Sequence, residues 1–430
     1  MDDVLTQNLR VIRERWPAVA ARLEGEAIDG LVVEVVQGTE QTLRINDIQL
    51  TSRHGRLAEA RLQAASLVNA CEVHLYGTGL GDLQRVLLEA PERQQLNVYV
   101  LNGAVFALVL QVLDHRDWLG DPRVSLAYAG DATEIALPFV ALPSELVLAD
   151  DQGAKIRDRL VSETHLSFNN SAFEASAPHL VARLQANEAL LGADGDVAEL
   201  FGNTPGASLY VVATGPSLEQ HFDHLRDARA AAERPLLVCV DTAYRPLLEH
   251  GIVPDIVVSI DERINALHLP PAHSATTTLV YMPLLAPEVL SQWQGRRLAC
   301  YSSSPVYSSI RQRLPKAQLH GGGSVIHPAV DLAVRMGAAQ VTLFGADFAF
   351  PNNKTHAGWG DGDLGPQLTH ARHWVLDGHG GRVRTQLNFR SYLTELERYI
   401  ACHPQVAFFN TSRAGAFIAG TTYIEGLAGG

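Results

Sequence analysis

The chain has 430 residues, of which 47% are hydrophobic and 19% charged, so it can bury large cores and form two or three domains. Its formal net charge of −13 disfavours a protein that binds nucleic acid or an anionic membrane through bulk charge. No run of about 18 apolar residues occurs, so we expect no membrane-spanning helix. Four widely separated cysteines without a CxxC pair predict reduced thiols and a cytoplasmic location.

Strand and helix patterns alternate along the first third of the chain. Apolar residues three and four positions apart between Leu5 and Leu23 predict an amphipathic first helix, and a β-hairpin pattern follows it. The alternation predicts a Rossmann-like domain over residues 1–150. The predicted elements after the first helix are strands Leu31–Val36 and Leu43–Ile48, helix Gly55–Val68, strand Val73–Tyr76, helix Leu83–Leu88, strand Leu96–Leu101, helix Ala104–Leu113 and strand Val124–Tyr128.

A glycine-rich loop follows the strand Val73–Tyr76. Gly77, Gly79 and Gly81 have the spacing G-x-G-x-G, whereas a dinucleotide loop has G-x-G-x-x-G. The next strand ends in Leu-Asn-Gly, where a dinucleotide site needs an acid for the ribose. We therefore expect a structural turn here and no NAD site.

Residues 151–205 are predicted to form a helical connector, because strand patterns are absent and leucines recur at helical spacing. A segment rich in Gly, Asp and Pro, Gly192–Ala207, marks the boundary to a second domain over residues 206–430. There the alternation predicts a doubly wound α/β sheet. Its predicted strands are Leu209–Ala213, Leu236–Val240, Ile256–Ile260, Thr278–Met282, Leu298–Tyr301, Val341–Phe344 and Val406–Phe409. Its predicted helices are Ser217–Ala231, Pro287–Trp293, Val306–Leu314, Ser324–Met336 and Gln386–Ala401, with a hairpin over Trp374–Thr385.

Two glycine-containing turns in the second domain precede predicted helices. The stretch LYVVATGPSL predicts a buried strand, a turn at Gly215 and a helix capped by Ser217. The stretch HGGGSV predicts a flexible loop and a helix capped by Ser324. Because the first N–H groups of a helix attract anions, we expect both turns to converge on one anionic ligand. The strands also end in polar residues, and ligands of such sheets bind at those ends: Thr214, Asp241, Asp261 and Asp347.

A polar loop with several glycines, NNKTHAGWG, follows the strand Val341–Phe344. Its His356 is a candidate general base, since histidine titrates near neutral pH. His370 and His373 are spaced as a metal-binding pair, but the sequence offers no third ligand and we expect no metal site. Most loop histidines take no part in chemistry, so this assignment needs support from other residues.

Motifs along nearly the whole chain resemble the motility-associated-factor (Maf) flagellin glycosyltransferases. In the second domain these are ATGPSL, CVDTAYRPLLEHGIVPDIVVSID, GGGSVIHPAVDLAVRMG, LFGADFAF, KTHAGWG and FNTSRAGAFIAGT, in this order. LTSRHGRLAEARLQA and VHLYGTGLGDLQRVLLE resemble the N-terminal domain of the same family. The central domain is also similar to an archaeal 6-hydroxymethylpterin diphosphokinase (MptE-like), which lacks the N-terminal domain.

The resemblance implies transfer of a nonulosonic acid, of the pseudaminic or legionaminic type, from its CMP-activated form to Ser or Thr of flagellin. It implies two Rossmann-like domains, the second similar to bacterial sialyltransferases, and no required metal or cofactor. Their nucleotide loop is matched by Thr214, Gly215, Pro216 and Ser217, with Thr214 in place of Asn, and their nucleotide-contacting Asn by Asp241. The CMP-contacting Ser-Gly loop is matched around Gly322, Gly323 and Ser324.

The remaining site assignments complete this hypothesis. We assign Thr242, Asp261 and Asn410 to the nucleotide site, and His356 and Asp347 to catalysis, with His356 matching the loop base of the sialyltransferases. Backbone donors would stabilise the leaving phosphate without a metal, and the transfer would invert the anomeric centre.

Two other functions remain open from the sequence. One is a pyrophosphokinase that uses ATP and Mg²⁺, with Asp241, Asp261 and Asp347 as candidate ligands. The other is a non-catalytic, chaperone-like protein that binds unassembled flagellin. Neither nucleic acid nor a membrane is an expected partner, and the sequence leaves the oligomeric state open.

Overall fold

The computed structural model of the protein describes residues 3–172, 177–424 and 426. Two compact units divide the chain, Met1–Leu166 and Ser167–Gly430. Residues 173–176 of the predicted connector, and residues 425 and 427–430 of the predicted second domain, lie outside the described residues. Among the described helices, none combines the length and the apolar character needed to cross a bilayer.

The first unit contains a three-stranded antiparallel sheet and a four-stranded parallel sheet. Its strands are β1 (Val33–Gln37), β2 (Gln41–Ile45), β3 (Ile48–Gln49), β4 (Glu72–Tyr76), β5 (Gln95–Val100), β6 (Val124–Tyr128) and β7 (Phe139–Ala141). Its helices are α1 (Val4–Arg15), α2 (Pro17–Glu24), α3 (Arg56–Ala64), α4 (Asp82–Leu88), α5 (Gly103–Val112), α6 (Arg116–Leu119) and α7 (Pro143–Leu148). Helix α8 (Ala154–Ala172) follows, and short 3-10 helices cover Ala65–Leu67 and Ala129–Asp131.

The parallel sheet of the first unit has the order β6-β5-β4-β7. The chain therefore starts at β4, moves outward through β5 and β6, and returns to the other side of β4 with β7. Alternate residues of β5 are fully buried, and the apolar faces of α1, α2 and α5 pack with the sheet into one core. This reversal of direction places a topological switch point between β4 and β7.

The second unit contains a nine-stranded parallel sheet and a separate hairpin. Its strands are β8 (Gly195–Asp196), β9 (Ser208–Val212), β10 (Leu236–Val240), β11 (Ile256–Ser259), β12 (Thr278–Tyr281), β13 (Arg297–Ala299), β14 (Gln340–Phe344), β15 (His373–Leu376), β16 (Arg382–Thr385), β17 (Ala407–Asn410) and β18 (Thr421–Tyr423). Its helices are α9 (Pro178–Ala193), α10 (Phe222–Ala230), α11 (Asp241–Glu249), α12 (Pro287–Gln292), α13 (Ser308–Arg313), α14 (Ile326–Arg335) and α15 (Leu387–Ala401). Its 3-10 helices cover Val197–Leu200, Pro216–Gln220, Pro271–His273, Pro305–Tyr307, Pro351–Asn353 and Leu368–His370.

The large sheet has the order β18-β17-β14-β9-β10-β11-β12-β13-β8, and every pairing in it is parallel. Its central strands are apolar runs buried on both faces, as expected for a sheet covered by helices on both sides. The chain leaves β9 toward β13 and later returns to the opposite side of β9 with β14. The switch point of the second unit therefore lies between β9 and β14.

The fold is of the α/β class with parallel sheets, as predicted, and the predicted hairpin over Trp374–Thr385 is present as β15 and β16. The predicted helix Ser217–Ala231 is wrong in its first turn. A 3-10 helix over Pro216–Gln220 comes first, and α10 begins only at Phe222. The very short strands β7, β8 and β18 were not predicted, because two or three residues carry no periodicity.

Candidate functional site

Two adjoining cavities of the second unit lie where the parallel strands end at the switch point. The smaller one, about 110 Å³, is lined by the segments that follow β9, β10 and β14 and by the start of α14. The larger one, about 1020 Å³, extends from the start of α14 past the ends of β10 and β11. They share six lining residues, so they form one continuous site: Thr242, Ser324, Val325, His356, Phe389 and Tyr392.

The turn after β9 is held by a carboxylate of the protein itself. Asp347 accepts a hydrogen bond of 2.8 Å from the Ser217 N–H and one of 2.6 Å from the Ser217 hydroxyl. Ser217 therefore does not cap a helix through its side chain, which corrects the sequence prediction. Burial raises the pKa of Asp347, while the bonds from Ser217 oppose that rise. The N–H that was expected to face an anionic ligand is already occupied.

A glycine is required at position 215, because the turn after β9 lies very close to Gly345 and Asp347 just after β14. Its N–H donates to Gly345 O at 2.7 Å. A Cβ at Gly215 would lie 2.3 Å from that carbonyl oxygen and 2.5 Å from Asp347 Oδ2. The glycine therefore permits β9 and β14 to meet across the switch point, and it also lines the smaller cavity.

The start of α14 is organised by a buried histidine. Helix α14 begins at Ile326 without a side-chain cap, so the predicted capping role of Ser324 is wrong. His327 lies between two segments of main chain, with Nδ1 2.9 Å from Ser324 O and Nε2 3.0 Å from Tyr392 O. These two contacts hold the loop of residues 321–324 against α15. The N–H groups of Val325 and Ile326 have no intrahelical acceptor at this position, and both residues line the smaller cavity.

His356 lies at the junction of the two cavities. Burial lowers its pKa to about 4, because the charged ring loses its hydration. Its Nδ1 is buried and has no hydrogen-bond partner among the described residues. The neighbouring Ala357 donates its N–H to Thr214 O at 2.9 Å, which fixes this loop against the turn after β9. The imidazole is therefore neutral and positioned beside the turn.

Asp241 stands at the end of β10 and begins α11. Its Oδ2 accepts from the Ser259 hydroxyl at 2.9 Å and its Oδ1 from the Thr242 N–H at 2.8 Å. Burial raises the pKa of Asp241 to about 7, and the charge of Asp261 adds to the rise against the opposing hydrogen bonds. The Thr242 hydroxyl in turn lies 2.5 Å from the Thr214 hydroxyl. The ends of β9 and β10 are thus joined by polar side chains that line the site.

The larger cavity is bounded by charged and aromatic side chains. Asp261 accepts from the Arg263 guanidinium at 2.6 and 3.1 Å. Burial acts to raise the pKa of Asp261, but the Arg263 hydrogen bonds and charge lower it overall. The rings of His268 and Trp359, which line the same cavity, stack with centroids 5.1 Å apart, and Tyr392 from α15 lines it as well.

The structure brings most of the predicted site residues to these cavities. Thr214, Gly215 and Asp347 line the smaller one; Asp241, Asp261 and Gly323 line the larger one; Thr242, Ser324 and His356 line both. Pro216, Ser217, Gly322 and Asn410 line neither. Asn410 instead accepts from the Ser412 N–H at 3.0 Å at the end of β17.

No cluster of three or more metal-ligating side chains occurs among the described residues. Sequence reasoning missed several cavity-lining residues: Arg245, Arg263, His268, Trp359, Phe389 and Tyr392. For Trp359 a signal existed, since it lies three residues after His356 in the same glycine-containing loop. Phe389 and Tyr392 are three residues apart on α15, and that spacing is equally typical of core residues.

Fold and site together define an α/β protein with a ligand cavity at the topological switch point of a parallel sheet. Residues 186–353 match the family model described as 6-hydroxymethylpterin diphosphokinase MptE-like. The chain is 29% identical over 206 residues to the 6-hydroxymethyl-7,8-dihydropterin pyrophosphokinase of Methanothermobacter thermautotrophicus strain Delta H, an alignment that covers 46% of this chain and 79% of that protein.

A solved structure of a Maf glycosyltransferase from Magnetospirillum magneticum AMB-1 is similar to this chain with a TM-score of 0.47 and 15% identity. The alignment covers 98% of this chain and 74% of that one. The similarity to MptE-like proteins, which the motifs predict, is confirmed. The family-model match ends at residue 353, whereas the alignment to the pyrophosphokinase is longer, with 206 residues.

Proposed function

We propose that the protein is a glycosyltransferase that moves a nonulosonic acid from a CMP-activated donor to Ser or Thr hydroxyls of flagellin. The observation that carries the proposal is that the turn after β9, the start of α14 and His356 line one cavity. The larger cavity, about 1020 Å³, has room for a sugar nucleotide, since ligand pockets are typically about 300–1000 Å³.

Motifs from both ends of the chain favour transfer of a sugar over transfer of pyrophosphate. The Maf-like motifs run from the first unit to the FNTSRAGAFIAGT stretch, whereas the MptE-like family model matches residues 186–353. His356, Phe389 and Tyr392 all line the site and all lie beyond that match. The Maf-like motifs therefore include His356, which the family model does not reach.

The proposed reaction is a displacement at the anomeric carbon. The acceptor hydroxyl oxygen forms the new bond to that carbon, the bond from the carbon to the phosphate oxygen breaks, and CMP leaves with the electron pair. In this proposal the N–H groups of Val325 and Ile326, which line the smaller cavity, stabilise the negative charge of the departing phosphate. Attack from the opposite face inverts the anomeric centre. We propose that these donors act without a resident metal or cofactor.

The proton of the acceptor hydroxyl goes to His356. The ring is neutral over the physiological range, because burial holds its pKa near 4, and a neutral ring is the form that accepts a proton. An anionic donor bound beside it would raise that pKa and strengthen the base. Asp347, assigned to catalysis from the sequence, acts in this proposal through the turn that it holds, since Ser217 occupies its carboxylate.

A His356→Ala variant tests the proposal directly. Transfer to flagellin, followed by the intact mass of the acceptor, should fall by at least about 100-fold, because general base catalysis contributes that much. Affinity for CMP should stay within about twofold, since the acceptor proton takes no part in nucleotide binding. His370→Ala is the matched control, because that histidine belongs to the same stretch after β14 and lines neither cavity. Transfer at the wild-type rate in the His356 variant would remove this residue from the mechanism.

The MptE-like match keeps a second candidate open, a pyrophosphokinase that uses ATP and Mg²⁺. Asp241 and Asp261 end neighbouring strands, but Ser259 and Thr242 bind the first and Arg263 binds the second. Thermal stabilisation by CMP in the presence of a chelator supports the transferase. Stabilisation only by ATP with Mg²⁺ supports the kinase. A flagellin complex that forms with no effect of either nucleotide supports the third candidate, a non-catalytic flagellin binder acting in the cytoplasm.

A further inference from the structure

Arg263 is one of two arginines that line the larger cavity, and it differs from the other in how firmly it is held. Arg245 donates to Glu249 at 2.7 Å on its own helix, and its guanidinium lies 5.0 Å from the centre of the Trp359 ring. Arg263 is bound through its Nε and Nη2 to Asp261 alone among the described residues, and its side chain is 75% exposed. Because the arginine of this pair is so exposed to water, its attraction to Asp261 is weak and a ligand anion can take the place of Asp261.

The position of Arg263 relates it to the proposed phosphate site. Arg263 lines the larger cavity together with Gly323, which leads into α14, and with Tyr392, whose ring covers Gly323. A Cβ on Gly323 would lie 2.7 Å from the Tyr392 ring, which shows how closely the ring covers the loop. The guanidinium therefore lines the same cavity as the loop that leads into α14.

The two positive features face the same cavity and differ in geometry. The start of α14 offers N–H groups without an intrahelical acceptor, and such groups suit a phosphate. Arg263 offers a planar fork, and Asp261 already occupies one edge of it in the bidentate manner of a carboxylate. Nη1 lies on the other edge, and an added Cβ on Gly365, in the loop across the cavity, would be 3.9 Å from it. The cavity is therefore suited to a ligand that carries a carboxylate in addition to a phosphate.

The geometry points to Arg263 as the group that binds the sugar carboxylate of the donor, in exchange for Asp261. This inference rests on the proposed function, in which the donor is a CMP-activated nonulosonic acid. Such a sugar carries its carboxylate on the anomeric carbon, so the phosphate and the carboxylate are close neighbours in the donor. Arg263 would thereby select acidic sugars over neutral ones and hold the anomeric carbon near the α14 loop.

Binding of two ligands to the full-length protein tests the inference. The ligands are CMP, which has no carboxylate, and the 3-fluoro analogue of CMP-N-acetylneuraminic acid, which resists turnover, both measured by calorimetry with a chelator present. In Arg263→Ala the affinity for the analogue should fall about 10- to 100-fold, as expected for loss of hydrogen bonds to a charged group. Affinity for CMP should stay within about twofold, because the phosphate contacts are unchanged.

Two further variants separate the role of the fork from that of charge and of folding. Arg263→Lys keeps the charge but cannot form the bidentate contact, so it should give an intermediate loss for the analogue. Arg296→Ala is the matched control, an exposed arginine paired with Glu199 that lines neither cavity, and it should change neither affinity. The analogue's binding should also depend less on salt in Arg263→Ala than in the wild type, because one ion pair is missing.

The outcomes distinguish the inference from the function on which it rests. Equal losses for CMP and the analogue in Arg263→Ala, or no loss for either, overturn the role of Arg263 and leave the transferase proposal standing if the wild type binds both ligands. A wild-type protein that binds neither CMP nor the analogue overturns the proposed function, and the inference with it.

Discussion

Each of the two units has a glycine-containing loop at its switch point, after β4 in the first unit and after β9 in the second. In both units a buried carboxylate from the segment that follows the neighbouring strand accepts hydrogen bonds from that loop. In the first unit Glu145, which follows β7, accepts from the Thr78 N–H at 2.8 Å and from the Gly79 N–H. In the second unit Asp347, which follows β14, accepts from the Ser217 N–H and hydroxyl. At the switch point of both units, a carboxylate of the protein itself therefore accepts the hydrogen bonds of the loop.

What surrounds the two loops is different. Beside the loop of the first unit there is a space of only about 20 Å³, room for about one water molecule. Beside the loop of the second unit lie cavities of about 110 and 1020 Å³. A glycine loop at a switch point therefore does not by itself predict a ligand. In the second unit the space for a ligand is enclosed by the segments after β10, β11 and β14 and by the start of α14. The described residues of the first unit include no counterpart of these segments.

The largest expected effect comes from removing the two carboxylates. Asp347→Ala and Glu145→Ala should each lower the free energy of unfolding by about 1–3 kcal/mol, because buried N–H groups lose their acceptor. Only Asp347→Ala should also reduce transfer, by at least about 100-fold, since a displaced turn costs that much in positioning. Calorimetric melting and the mass of flagellin measure the two effects. A comparable loss of transfer in both variants would mean that the first loop also serves the reaction.

Substitutions of the glycines in the two loops are expected to have smaller effects and to distinguish a loss of stability from a loss of transfer. Gly215→Ala places a Cβ 2.3 Å from Gly345 O, so we expect a loss of about 1–3 kcal/mol and roughly tenfold slower transfer. Gly77 has a φ of +103°, and its Cβ would lie 3.2 Å from Glu145. Gly77→Ala should therefore destabilise the first unit and leave transfer unchanged.

A control for these variants is Gly192, which lies in the last turn of α9 and where an added Cβ would be 3.9 Å from Leu314 Cδ2. Gly192→Ala should raise stability by up to about 1 kcal/mol, as alanine does in helices. Urea unfolding measures all three variants. A Gly215→Ala protein as stable and active as the wild type would show that β9 and β14 tolerate separation.

The sequence was sufficient for features that depend on neighbouring residues. The apolar run of β9, the glycines of the α14 loop and the polar ends of β10 and β11 are visible in the sequence as patterns of a few residues. Together with the rule that parallel strands present their ligands at one edge, they predict which loops meet. The structure accordingly brings Thr214, Ser324 and His356 to one cavity.

Features that depend on contacts far apart in the sequence could not be predicted. Ser217 and Asp347 are 130 positions apart, and nothing local shows that the hydroxyl binds that carboxylate and leaves the helix uncapped. Arg263 is an ordinary charged loop residue in the sequence, and only the packing of α15 brings Tyr392 to the same cavity. The same holds for Glu145, whose burial in the first loop follows from the pairing of β7 with β4.

The smallest expected effect concerns how the two units respond to pH. Asp241 has a folded pKa of about 7, well above the value of an exposed aspartate, so folding favours its protonated form. Its contribution to stability is complete below about pH 4 and is lost as the pH rises through about 7. Asp241→Asn removes this dependence. The melting temperature of the variant relative to the wild type should therefore rise by a few degrees between pH 4.5 and pH 8.

Glu145→Gln provides the matched measurement in the first unit, because burial also raises the pKa of Glu145. The sign is the same, so its melting temperature relative to the wild type should rise with pH as well. Taking differences from the wild type cancels the titration of every other group. The melting-temperature difference from the wild type could stay constant with pH for Asp241→Asn and yet rise for Glu145→Gln. That result would show that water in the open cavity keeps Asp241 ionised, whereas Glu145 in the closed first loop stays protonated.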